Sequence, residues 1–398
     1  MSEPLESRRS RAWLGAAAAL LVVGANVAWV SAEMGFLHPP ERVLETDHFR
    51  YIEMSRGANA AWRGLAYEPP FCYRVLSPLL ASGLSELGLS LDAAWWTLTH
   101  ASLALFLFAL YQLLGTYELR VSERLVGVAL VGLLQGAVRW YSYQYWMTDP
   151  LALLVVTLGI YCVRSERLGA LLALSLVSVA VRETYVLVFA YLFVFTCQRR
   201  GWATALERTL GVALAPLVLM LLIRSRVEAL AQPDLLRLLR FFSVWRFERL
   251  FDNQLYFCTV GSFGALFSLL LVDPRRTAAF YREHLAELCV VGMVYASLLI
   301  ANNTDRLLAY GVAGVVPPAL INLRTMASRI RVPYAAAAAG VLGVQALFWQ
   351  QTLFHGTQVA LSVTQPANAL VTVAMLALWS VGFVALLRST PGELTSSA

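Results

Sequence analysis

Apolar segments recur from residue 12 to residue 387 of this 398-residue chain, and no long polar block separates them. About 20 apolar residues in a helix span a hydrocarbon core, because such a helix pairs its own backbone polar groups. The composition agrees: 59% of residues are hydrophobic and only 14% are charged, against roughly 25% charged in soluble domains. The expected fold is all-α, a polytopic transmembrane helical protein of about 11–13 helices forming a single integral membrane domain over 1–398. Helices are expected near 12–31, 91–114, 122–138, 149–163, 168–181, 184–198, 205–223, 254–272, 285–300, 307–323, 333–350 and 367–387. Several are short, so 168–198 can also be read as one long broken helix.

Arginines in the connections set the orientation. With Arg8, Arg9 and Arg11 inside, short inner loops hold Arg120 and Arg124, Arg164 and Arg167, and Arg324, Arg329 and Arg331. Both termini are then expected on the cytoplasmic side of a bacterial inner membrane. The segments 32–90 and 224–253 become long extracytoplasmic segments. Ser7-Arg8-Arg9-Ser10 before an apolar run imitates a secretory signal, but the run is longer than a signal core, so a retained anchor is expected. The net charge of +6 resides in loop arginines, which the membrane bias accounts for, so nucleic acid is not an expected partner. The lipid bilayer is.

This topology brings the notable ionisable residues to one outer surface. The first outer loop carries Glu45-Thr46-Asp47-His48 between the helix-breaking pairs Pro39-Pro40 and Pro69-Pro70, followed by Tyr73-Arg74-Val75-Leu76-Ser77-Pro78. Between the proline pairs, 41–62 reads as a short amphipathic helix at the interface, and 75–88 as a second one or a partial span. Asp47 there is a candidate general base for a substrate hydroxyl, or simply a helix cap. Glu45, Asp47 and His48 together could take a divalent cation through hard oxygens; otherwise no cofactor is expected.

The next constellation is Arg139-Trp140-Tyr141-Ser142-Tyr143-Gln144-Tyr145-Trp146-Met147-Thr148-Asp149-Pro150. Asp149 before Pro150 reads as an N-cap with proline at the first helical position, and the aromatics as an interfacial belt or a platform for a sugar ring or lipid head. Arg182-Glu183 lies between two apolar runs without a polar loop, so it is either an ion pair or a phosphate site. Asn302-Asn303-Thr304-Asp305-Arg306 repeats that logic, with Asp305 as a possible cap. The 224–253 segment interleaves arginines with Leu, Phe and Trp, as an interfacial helix would. Cys72 and Cys258 both fall outside, where a disulfide is conceivable. There is no Walker A loop, GxSxG or HExxH motif.

A long first outer loop with an acid, the Tyr-Arg-Val-Leu-Ser-Pro-Leu-Leu stretch, the Asp-Pro helix start, Arg-Glu-Thr in mid-chain and Asn-Thr-Asp-Arg late in the chain resemble bacterial GT-C-type integral membrane glycosyltransferases, over about residues 10–325. The resemblance implies a polyprenyl-phosphate sugar donor, a reaction on the extracytoplasmic side, and a first-loop acid as base. Carried over by position, Asp47 is the catalytic base, and Arg182 or Arg306 holds the donor phosphate. Glu45, His48, Arg74, Asp149, Glu183 and Asp305 complete the expected substrate-binding set. The first-loop pattern here is Glu-x-Asp and not Asp-x-Asp, which leaves metal dependence open. Competing readings are a multi-pass transporter and a non-catalytic assembly subunit.

Overall fold

The computed structural model describes residues 5–34, 37, 47–56, 73–226, 262–297 and 304–351. Among them there are helices and turns and no strand. In chain order the helices are α1 (Leu5–Met34), α2 (Asp47–Met54), α3 (Leu76–Glu86), α4 (Leu91–Gly115), α5 (Val121–Gly132), α6 (Trp140–Tyr143), α7 (Asp149–Arg164), α8 (Leu168–Ser178), α9 (Val186–Arg200), α10 (Trp202–Arg226), α11 (Ala265–Val272), α12 (Pro274–Glu283), α13 (Leu285–Ser297), α14 (Thr304–Leu308), α15 (Val312–Arg329) and α16 (Tyr334–Gln351). The expected helix over 367–387, most of the 224–253 segment, and Cys72 and Cys258 lie outside the described residues.

Four stretches are long and apolar enough to cross a membrane: Ser10–Ala32, Leu91–Gly115, Trp202–Arg226 and Arg306–Arg329. Val121–Gly132 with Gln135–Tyr143 makes a fifth if the pair, bent by 72°, is one span. The described residues are all-helical, and the chain is a helical membrane protein. Other expected spans are shorter helices; α8, with 11 residues, reaches only ~16 Å of a hydrocarbon core of ~30 Å. The 168–198 stretch is two helices, because Val179–Arg182 leaves the helical path between them.

Burial separates centre from periphery. The Arg306–Arg329 span is 94% buried and Trp202–Arg226 only 22%, so α15 is the hub and α10 the flank. Leu206, Leu210, Leu214, Leu217 and Leu221 form an exposed stripe on α10 at helical spacing, the face a lipid chain would cover. Around the hub, α4 packs on α7 and α1, α9 on α10 and α13, and α11 on α15.

The helix ends follow from local chemistry. Ser90 caps α4 by accepting the Ala93 N–H at 3.2 Å, and Glu123 returns to the Arg120 N–H at 2.8 Å at the start of α5. Where α5 ends, Asn26 of α1 donates to the Gly132 carbonyl at 3.1 Å, satisfying a backbone acceptor that the bend would otherwise leave bare in an apolar setting. Gly264, at φ +54, precedes α11, whose first N–H is accepted by Gln345 Oε1 at 2.8 Å. A Cβ on Gly264 would collide with that same amide.

The sequence singles out ionisable groups on one face, and the structure adds a second set at the other end. At the end of the bundle formed by the 115–121, 164–168, 273–285 and 329–334 connections, Arg164 pairs with Glu287 at 2.6 Å. Tyr117 and Tyr191 each donate to the same carboxylate oxygen at 2.7 Å, and Arg164 Nε donates to Thr116 at 2.6 Å. Arg324 pairs with Glu123 at 3.3 Å and Arg329 with Asp273 at 3.0 Å. Buried ion pairs thus occur at both ends. The second set was read as loop arginines because its acids sit one at a time within otherwise apolar sequence.

Close helix contacts carry a testable consequence. A Cβ on Gly159 of α7 would lie 2.8 Å and 2.9 Å from the two methyls of Val188 on α9 and 3.0 Å from the Tyr185 hydroxyl. Gly159→Val is expected to destabilise the protein by about 1–3 kcal/mol, measured by thermal unfolding in detergent, and Val188→Ala should restore part of the loss. An unchanged melting temperature in the single variant would mean that α7 and α9 do not pack this closely.

Candidate functional site

The opposite end of α7 begins with Asp149, which is 1% exposed. Its surroundings arise from two breaks in helical regularity. After α5 the chain bends, runs through a π-turn over Gln135–Arg139 and the single turn of α6, then returns through 144–148. Between α8 and the short 3-10 turn Glu183–Tyr185, Arg182 takes an extended conformation (φ −169, ψ 147). Each break turns polar side chains toward the interior at a level where a regular helix would present apolar ones.

The expected N-cap role of Asp149 is corrected. The cap position falls on Thr148, whose side chain makes no capping bond, and the Asp149 carboxylate is ion-paired with the Arg182 guanidinium. Arg182 and Glu183 do not pair mainly with each other. The extended backbone sends successive side chains in different directions, so Arg182 goes to α7 while Glu183 pairs with Arg74. Arg74 Nε donates to the second Glu183 oxygen at 3.2 Å, and Arg74 Nη1 donates to the Tyr51 hydroxyl of α2 at 3.0 Å. The Leu76 N–H donates to the Ala180 carbonyl at 2.9 Å, which ties the start of α3 to the α8–α9 break.

Further groups close the cluster. The Tyr310 ring lies 5.9 Å from Arg182 Cζ, and Arg306, 3% exposed, reaches Met147 Sδ with Nη1 at 3.9 Å. Tyr141, in α6, is fully buried. Burial and the nearby Arg182 oppose the charge on Arg74, but Tyr51 and Glu183 hold its pKa above the ordinary arginine value. Burial also opposes ionising Glu183, and Arg74 and Arg182 nonetheless keep its carboxyl below the usual range. The Glu183 side chain is 40% exposed against 7% for Arg74, so Glu183 is the member of that pair nearer the molecular surface.

The structure thus brings together Arg74, Asp149, Arg182, Glu183 and Arg306 from the expected set. Asp47 is the first residue of α2, four positions before Tyr51, about 6 Å of helical rise. The side chains of Asp47, His48 and Asp305, and all of Glu45, lie outside the described residues. Among the described residues no three His, Cys, Asp or Glu side chains converge as a metal site would require. Sequence reading took Tyr141 only as one aromatic of the 139–150 run, and it missed Tyr51 and Tyr310. Of those two, only Tyr51 left a usable signal, at four residues from Asp47.

The chain is thus a helical membrane protein in which one end of the described bundle carries a buried network of alternating arginines and carboxylates drawn from four separate segments. The chain matches no protein-family model and no curated protein sequence.

Proposed function

We propose that the protein is a membrane glycosyltransferase that moves a sugar from a polyprenyl-phosphate donor to an acceptor hydroxyl on the extracytoplasmic side of a bacterial inner membrane. One observation carries the reading. The helix that Asp47 begins is joined through Tyr51 and Arg74 to Glu183, next to the Arg182–Asp149 pair. A candidate base and several guanidiniums thereby share one end of the bundle. That convergence is what the chemistry asks for, since charged groups in apolar surroundings are costly unless paired or used.

In the proposed reaction Asp47 accepts the proton of the acceptor hydroxyl as its oxygen bonds to the anomeric carbon. The anomeric C–O bond to phosphate breaks, and the electron pair leaves with polyprenyl phosphate. Arg182 and Arg306 offset the charge gathering on that phosphate. Asp149 engages one Arg182 nitrogen and a guanidinium has five N–H donors, so Arg182 can hold carboxylate and phosphate together. Asp149 also fixes its orientation.

A transporter is the second reading, favoured by the 72° break after α5 and by ion pairs at both ends of α7, features that gated pathways use. One preparation separates the two. Purified full-length protein in vesicles, offered polyprenyl-phosphate pentoses and hexoses with a bacterial lipid extract as acceptor, is expected to release free polyprenyl phosphate. Donors that stay intact while labelled lipid-linked sugar changes leaflet would replace the transferase with the transporter.

A further inference from the structure

We infer that the connection between α6 and α7 is the sugar-recognition element of this site, with Gln144 and Thr148 hydrogen-bonding the hydroxyls of a neutral sugar ring. The inference rests on the transferase reading for its substrate class, but the observation behind it is independent. Gln144 is 0% exposed, and neither its amide nitrogen nor its amide oxygen has a hydrogen-bond partner. Thr148 is 0% exposed, occupies the N-cap position of α7, and leaves its hydroxyl unused, without even the capping bond that threonine ordinarily makes there. The Tyr141 hydroxyl, also fully buried, has no hydrogen-bond partner. Three neutral polar side chains with unspent hydrogen-bonding capacity thus fall within eight residues, directly before Asp149.

Buried polar groups are nearly always paired, and each exception calls for a cause such as strain, a catalytic role, or a water or ligand held in the site. The chemistry of this set indicates which. Arginines donate only and suit phosphate, whereas an amide and two hydroxyls both donate and accept, as sugar hydroxyls do. The same segment packs Tyr145 against Trp146 with ring centroids 3.9 Å apart and planes tilted by 36°, and it anchors Trp146 to Asp92 through an N–H donated at 2.9 Å. The polar groups are therefore mounted on a fixed aromatic base. Phosphate would be held by the arginines and the ring by this connection, with Asp149 at the boundary.

Gln144→Leu and Thr148→Val remove the unpaired groups at nearly constant shape. Each variant is expected to melt at or above the wild-type temperature, because an unsatisfied group is lost, while the KM for the lipid-linked sugar rises on the order of tenfold, the value of one lost hydrogen bond of about 1.4 kcal/mol, with kcat little changed. Unchanged KM in both variants overturns the proposal and leaves buried water as the occupant. Hydrogen exchange gives a second readout on wild-type protein. Octyl glycoside should protect residues 140–149 and octyl phosphate should not; equal or absent protection also overturns it. Transfer with normal KM in both variants would remove the subsite and keep the transferase. No transfer from any donor, with glycoside protection that Gln144→Leu abolishes, would do the reverse.

Discussion

Asp47→Asn is expected to lower sugar transfer by about 10²–10⁴-fold, the usual contribution of a positioned general base, without unfolding the protein. The substitution isolates the chemistry for a structural reason. Asp47 opens α2, and asparagine keeps its shape while losing a first-turn charge worth only about 0.3–1 kcal/mol, so the turn leading to Tyr51, and through it the bond to Arg74, should persist. The measurement is single-turnover transfer from a polyprenyl-phosphate sugar, run beside a melting curve. A variant that melts like wild type and transfers at its full rate would show that Asp47 is a helix-start residue and nothing more. Glu53, on the same helix, serves as a control, since Glu53→Gln removes a carboxylate from the other face and should leave transfer intact.

The second large effect is on stability. Arg182→Met leaves Asp149, 1% exposed, without the guanidinium that pairs with it, and breaking a buried pair from one side costs about 3–5 kcal/mol. Replacing both partners, as in Arg182→Met with Asp149→Leu, removes the stranded charge and should recover most of that loss. Thermal unfolding of the three proteins in one detergent reads the difference. A single variant within about 1 kcal/mol of wild type would indicate that the pair is solvated and not buried. Activity then separates structure from function. If the double variant is stable but inactive, Arg182 acts on the donor; if it transfers sugar normally, the pair only braces the break between α8 and α9.

The outcome at Asp149 explains what was legible in the sequence. An aspartate before a proline at a helix start matches a capping pattern, because that pattern depends only on neighbours along the chain. In the fold the carboxylate goes to Arg182, 33 positions away, since the bend after α5 and the extended residue between α8 and α9 bring the two breaks together. Arg182-Glu183 was legible as a charge that must be neutralised but not in its pairing. Either residue could have paired with the other, and one residue in extended conformation sent them apart to Asp149 and Arg74. The pair Arg164–Glu287 went unread for the same reason. Its members are 123 residues apart, and each alone looks like an ordinary charge near a helix end.

By itself the sequence determined that this is a helical membrane protein, where helices such as α4, α7 and α16 begin and end, and that Asp149, Arg182 and Glu183 carry charges that apolar surroundings would not tolerate unpaired. Hydropathy, capping and turn chemistry act over a few residues, so they can be read without knowing what lies across the bundle. The tertiary structure decided which charge meets which, that such meetings occur at both ends, and that Gln144 and Thr148 are buried with their hydrogen bonds unspent. A buried charge requires a partner, but its identity depends on helix crossings and on the places where helices break. Those are settled only when the segments pack.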